Sequence, residues 1–226
     1  KYAAINDKGM VKYKVEDRSK NTNFRSYIQL YKYDSNDNPQ EEKDENGNDV
    51  FVYRTTRHTE RQKEGGCDWK VSGYFLVSPD IVNSEGIAKA QTMDWATANG
   101  YLTSANSNVY STPSFAVTRG CAAYRGKDGL DETGTWRVPT RGECALILLF
   151  YKKMEGTQEI TGFQPFALSA KDPTYYWSAT EKGGDSKDAW SMRLYADDKM
   201  TGYGLNTGYS DKEKKEYYLR CIRDIP

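Results

Sequence analysis

Histidine is almost missing from this chain, and its scarcity removes most of the usual hydrolytic chemistries. The only one, His58, stands between Arg57 and Thr59 in a polar stretch, so a Ser-His-Asp or Cys-His pair would have to be built on a surface residue. Net charge is missing too: 32 basic and 32 acidic residues cancel, which leaves no electrostatic footprint for nucleic acid or an anionic membrane. No apolar run approaches the roughly 18 residues of a membrane helix. No signal peptide opens the chain. Because Lys1-Tyr2-Ala3 is no natural start, an export signal is expected upstream.

Cysteine is sparse and scattered. Cys67, Cys121, Cys144 and Cys221 form neither C-x-x-C nor a zinc-ligand spacing. The even number allows two disulfides in one of three pairings, including one that ties Cys121 to Cys221, or alternatively buried free thiols. Glycine-rich pieces such as Gly202 to Gly208 lack the strand-to-helix context and the Lys-Ser/Thr of a phosphate cradle. Carboxylates are many, but no pair stands out for acid-base work. No catalytic residue, metal site or cofactor is therefore expected.

What the chain does hold is aromatic and glycine residues: 18 Tyr, 5 Trp and 19 Gly against only 37% hydrophobic content. This composition suits a loop-rich protein containing β-structure. Tyr27 to Tyr33 alternates as a strand, with Val50 to Thr55 as its expected partner. Between them, Asp34 to Asp49 holds seven acids and one lysine, the composition of a solvated hairpin loop. Asp34, Asn36, Asn38, Gln40, Glu42 and Glu45 fall in an EF-hand register, but Pro39 stands where the sharp turn needs glycine. Arg57 to Gly66 supplies a boundary near residue 66, which separates a β-rich segment (1–66) from the main domain (67–226).

In the main domain, Val71 to Ser78 reads as a strand, and Thr92 to Tyr101 and Phe115 to Tyr124 as short helices. Thr140 and Glu143 make a T-x-x-E capping box ahead of the apolar run Ala145 to Tyr151, so a buried helix is expected from Arg141 to Met154. Pro139 keeps Trp136 to Val138 extended. Strands follow at Tyr175 to Thr180, Ala189 to Tyr195, Met200 to Tyr209 and Tyr217 to Arg223, punctuated by Gly183-Gly184 and Asp197-Asp198. Helices first and an antiparallel meander afterwards predict an α+β domain.

The succession Asp94-Trp95-Ala96-Thr97-Ala98, Cys121-Ala122-Ala123-Tyr124, Gly134-Thr135-Trp136-Arg137-Val138-Pro139-Thr140, Tyr176-Trp177-Ser178-Ala179-Thr180, Ala189-Trp190 and Arg220-Cys221-Ile222-Arg223-Asp224 resembles the Fibrobacter succinogenes major paralogous domain. It is also similar to the C-terminal part of fimbrillin-like surface proteins of Bacteroidales. The resemblance covers about residues 70 to 226 and implies a C-type lectin-like fold, with two main helices and antiparallel strands. It implies a secreted or surface-anchored bacterial protein, often a lipoprotein or the tip of a fimbria or pilus, with Trp136, Trp177 and Trp190 as framework. Gln164-Pro165-Phe166 and Asp172-Pro173-Thr174 depart from the tripeptides of calcium-dependent sugar-binding lectins, so calcium-mediated binding is not implied.

The expected function is that of a non-enzymatic adhesin-like module, outer-membrane-anchored or fimbrial, binding a host glycan or protein through loops Glu181 to Asp188 and Asp197 to Asp211. Tyr203, Asn206, Tyr209, Asp185 and Asp188 are the candidate ligand residues. Three alternatives stand beside it. One is a fimbrial subunit whose N-terminal strands, including Tyr27 to Tyr33, assemble by strand addition. Another is a display protein with retroelement-varied loops. The third is a copper enzyme of the formylglycine-generating type using Cys144 and Cys221.

Overall fold

The computed structural model describes residues 3–5, 9–18, 21–30, 35–36, 38, 40–51, 74–101, 117–182, 187–195 and 207–225. Its N-terminal strands are β1 (Ala3–Ile5), β2 (Gly9–Arg18) and β3 (Asn21–Leu30), followed by the short β4 (Glu41–Lys43), β5 (Asp49–Phe51) and β6 (Tyr74–Val77). Two single-turn helices, α1 (Trp95–Ala98) and α2 (Gly120–Ala123), precede β7 (Trp136–Arg137), the long α3 (Arg141–Glu155) and a further turn, α4 (Gln158–Thr161). The chain closes with β8 (Thr174–Glu181), β9 (Asp188–Leu194), β10 (Thr207–Asp211) and β11 (Ile222–Asp224). These strands make a six-stranded sheet in the order β1-β2-β3-β6-β11-β7, a three-stranded meander β10-β9-β8 and the hairpin β4-β5.

The described chain is thus mostly β, and the expected C-type lectin-like α+β fold with two main helices is overturned. Only α3 is long; the segments Thr92 to Tyr101 and Phe115 to Tyr124 each yield four helical residues. Tertiary contacts stop them. Gly100 takes φ +82° immediately after α1, a left-handed conformation that ends a helix. Gly120 lies so close under α1 that a Cβ there would stand 2.3 Å from the Ala98 carbonyl oxygen. The chain can approach that closely only without a side chain, and α2 starts at this glycine; Phe115 itself lies outside the described residues.

The capping box predicted at Thr140 is present. The Thr140 hydroxyl accepts from the Glu143 N–H, and the Glu143 carboxylate accepts from the Thr140 N–H. Glu143 also takes both ends of the Arg137 guanidinium at 2.7 Å, while Arg137 reaches Asp224 at 3.0 Å. Burial opposes the charge on Arg137, but Glu143 and Asp224 outweigh it and raise its pKa. The helix start is therefore locked to β7 and β11 at once. Its burial is one-sided, contrary to expectation. Glu143, Cys144, Ile147, Phe150 and Met154 face inward, whereas Leu149 is 56% exposed.

Alternation along the strands divides the core in two. Phe75, Val77, Tyr176, Met192 and Ile222 pack with α3, and Leu76, Trp136, Trp177, Ala179 and Ala189 pack with Trp95 and Leu219. The two clusters meet through β6, β8 and β11, whose successive residues serve opposite sides. Cys121 and Cys221 are joined in a disulfide spanning 100 residues, Cys144 is a buried free thiol, and Cys67 lies outside the described residues.

At the N-terminal end, β3 pairs with β2 and, over Tyr27–Gln29, with β6. Val50, expected opposite Tyr27 to Tyr33, instead faces Glu42 within the hairpin β4-β5. The reason is local: the Asp44 carboxylate accepts from the N–H groups of Asn46 and Asn48 at 2.8 and 2.9 Å, which folds the acidic segment back on itself. The boundary expected near residue 66 lies outside the described residues, and the strands on either side of it share one sheet. Tyr217 to Arg223, expected as one strand, makes bridges at Tyr217 and Tyr218 to Met93 and Tyr176 and becomes a strand only from Ile222.

A candidate binding face at the start of the long helix

The meander places the start of α3 against the end of β8. The Arg141 N–H donates to the Thr180 hydroxyl at 2.9 Å, seating the first helical residue on β8. From there its guanidinium carbon stands 3.5 Å from the centre of the Trp190 ring. Trp190 is paired across the strands with Tyr209, and their ring centroids are 5.5 Å apart at 82°, an edge-on contact. The Lys182 ammonium lies 3.8 Å over the Tyr209 ring and 3.7 Å from Asp188. A four-membered ladder results: cation, indole, phenol, cation.

Each cation–π contact at such a half-exposed site contributes about 0.5–1 kcal/mol. Tyr209 remains 51% exposed at the outer strand of the meander. Asp211, opposite Asp188 in register, accepts from the N–H groups of Lys214 and Glu213. Those bonds, the Lys214 one foremost, hold its carboxyl below the ordinary value. Behind the face, Lys212 and Glu181 form a buried ion pair, with the Lys212 ammonium 4.5 Å over the Trp95 ring. The Trp95 indole in turn donates to the Ser178 carbonyl at 2.8 Å. The exposed ladder thus stands on an ordered platform.

Of the five candidate ligand residues, Tyr209 and Asp188 are brought together here, linked through Lys182. Tyr203, Asn206 and Asp185 lie outside the described residues. The two loops expected to act together leave the meander at opposite ends. One follows Glu181 and re-enters at Asp188; the other follows Leu194 and re-enters at Thr207. Lys182 falls in the expected loop Glu181 to Asp188 without having been singled out, whereas Trp190 and Arg141 were not among the candidates. Only the register Trp190↔Tyr209 reveals them, and no local signal carries that register.

Cys221 is bonded to Cys121, so it forms no thiol pair with Cys144, whose own thiol is pushed up by burial and then by Glu143. Burial raises Tyr176 to about 12, and its hydroxyl donates to the Phe166 carbonyl at 2.6 Å inside the core. Among the described residues, no group of three or more His, Cys, Asp or Glu side chains could hold a metal ion, and no helix is long and apolar enough to cross a membrane. His58 and Asp34 lie outside those residues. No family model, curated protein or solved structure matches the chain.

Proposed function

We propose that the chain is a non-enzymatic binding module of a bacterial cell-surface protein, of fimbrial-tip or adhesin type. It holds a host glycan or protein on the face formed by Tyr209, Trp190, Arg141 and Lys182. One observation carries the reading: Tyr209 stays 51% exposed on the outer strand of the meander, with the Trp190 ring edge-on to it and the Lys182 ammonium over it. A disulfide spanning 100 residues suits an oxidising compartment outside the cytoplasm and so supports surface placement.

Immobilised purified chain, probed with glycan and host-protein arrays, tests the reading. Binding that disappears in Tyr209→Ala and persists in a distant control, Leu168→Ala, is the expected result. Ligands bound equally by wild type and Tyr209→Ala would place the function elsewhere.

The second reading, a structural subunit assembling by strand addition, finds its opening at the sheet's outer strand β1. At Tyr27–Gln29 both neighbours of β3 are already occupied. Concentration-dependent oligomers in size exclusion would favour that reading.

A further inference from the structure

Asparagine is followed by glycine twice in this chain, at Asn46-Gly47 and Asn99-Gly100, and the fold treats the two pairs in opposite ways. We infer that Asn46 is a self-modification site, whose side-chain amide is converted to a carboxylate in the folded chain while Asn99 is protected. The step needs only water. The Gly47 nitrogen gives up its proton to solvent base and bonds to the Asn46 side-chain carbonyl carbon; the bond from that carbon to Nδ2 breaks, and ammonia leaves behind a five-membered succinimide. Water then opens the ring at either carbonyl, giving aspartate or the isomer whose main chain runs through the side-chain carbon. Glycine favours the attack because it has no Cβ to crowd the nitrogen.

Asn46 stands exposed in the turn of the β4-β5 hairpin. Its backbone N–H donates to the Asp44 carboxylate, but its side-chain amide bonds to none of the described residues. A Cβ built on Gly47 would meet nothing within 4 Å, so the nucleophile stands in open space. One bond restrains it, from the Gly47 N–H to the Asp44 carbonyl at 2.9 Å. That bond closes a two-stranded sheet of three-residue strands, separate from the other sheets, and such a hairpin opens locally at little cost. Asn99 is held differently. It is buried, its Nδ2 donates to the Trp95 carbonyl at 2.9 Å, and the Gly100 N–H donates to the Thr97 carbonyl at 3.1 Å. Trp95 lies in the core, so neither reacting group moves without opening it.

The product acts on the turn that makes it. A carboxylate at position 46 stands two residues from that of Asp44, which fastens the turn by accepting from Asn46 and Asn48, so like charges meet there. The isomer also lengthens the main chain between Lys43 and Asp49, which face each other in register and form an ion pair. Conversion therefore loosens the hairpin.

The test incubates the whole chain in mildly alkaline buffer, folded and in parallel in denaturing urea, then digests it and reads the Asn46 and Asn99 peptides by mass spectrometry for the gain of mass from amide to acid. In the folded chain the Asn46 peptide should convert roughly tenfold or more faster than the Asn99 peptide, because Asn99 must first break its hydrogen bonds to the core. In urea the two rates should converge. Asn46→Gln, whose longer side chain would have to close a larger ring, should stop conversion at that position. Hydrogen exchange of the amides at 41–51 should rise in the aged wild type and stay unchanged in the aged variant. Equal rates at the two sites in the folded chain overturn the inference, and so does a folded chain in which Asn46 is spared until urea is added. Unchanged exchange in a converted chain overturns the loosening of the hairpin.

Discussion

Arg220 is fully buried with backbone carbonyls as its main hydrogen-bond acceptors, and replacing it tests whether such a cage sustains a charge in the core. Its guanidinium donates to the carbonyls of Pro79 at 2.8 Å and Gln164 at 2.9 Å, and more weakly to Ser78 at 3.2 Å and Pro165 at 3.3 Å. Its carbon lies 4.2 Å from the Phe166 ring centre and 4.8 Å from that of Phe163. Burial lowers its pKa, with Tyr176 partly compensating, yet an arginine remains protonated. Two effects oppose each other in Arg220→Met. Losing the two short bonds to a charged donor costs about 1.5–3 kcal/mol each, whereas removing a buried charge returns part of its desolvation cost.

Because the guanidinium ties the segment at residues 78–79 to that at 164–165, methionine can fill the space but cannot bridge the carbonyls. The bonds should win, with a net loss of about 3 kcal/mol, equivalent to roughly 6–12 °C in melting temperature for a chain of this size. Arg220→Lys should fall between, since a single ammonium reaches one segment and not both. Urea denaturation followed by tryptophan fluorescence provides the measurement. A methionine variant as stable as wild type, or more so, would refute the reasoning and show that desolvation dominates in this core.

Reduction of the Cys121–Cys221 disulfide, which spans 100 residues, should cost up to about 4–5 kcal/mol by release of chain entropy in the unfolded state; melts with and without a phosphine reductant measure it, and an unchanged midpoint would contradict it. Glu143→Ala removes one half of the capping box and takes the bidentate carboxylate away from the buried Arg137, so about 3–5 kcal/mol should be lost, visible in thermal melts. Tyr176 keeps its proton to about pH 12 when folded against about 10 when unfolded. The stability this contributes is complete below pH 10 and is lost as pH rises towards 12, amounting to about 3 kcal/mol. Tyr176→Phe should therefore show a shallower alkaline decline than wild type in pH-dependent urea titrations, and parallel declines would count against it.

Local signals were legible in the sequence, and non-local ones were not. Thr140 and Glu143 announced the start of α3 because a capping box is settled within four residues. The alternation from Tyr175 to Thr180 announced β8 for the same reason. Nothing within Thr92 to Tyr101 reveals that α1 and α2 press together at Gly120, so two expected helices shrank to single turns and the fold class was misread. Within the site, Tyr209 and Asp188 could be named as exposed polar and aromatic residues near turns. Trp190 looked like framework, as its indole stays partly covered, and only its pairing with Tyr209 and its stacking under Arg141 make it part of a surface.

The position of β11 has a consequence for how the molecule comes into being. Ile222–Asp224 lies between β6 and β7, hydrogen-bonded to strands that begin at Tyr74 and Trp136. A chain made from its N-terminus reaches these residues after every other described strand, so the six-stranded sheet stays divided until they have been made. Such late, long-range closure makes for slow folding and a lasting unfolded interval. Cys221, the residue next to β11, reaches Cys121 only when the sheet is completed.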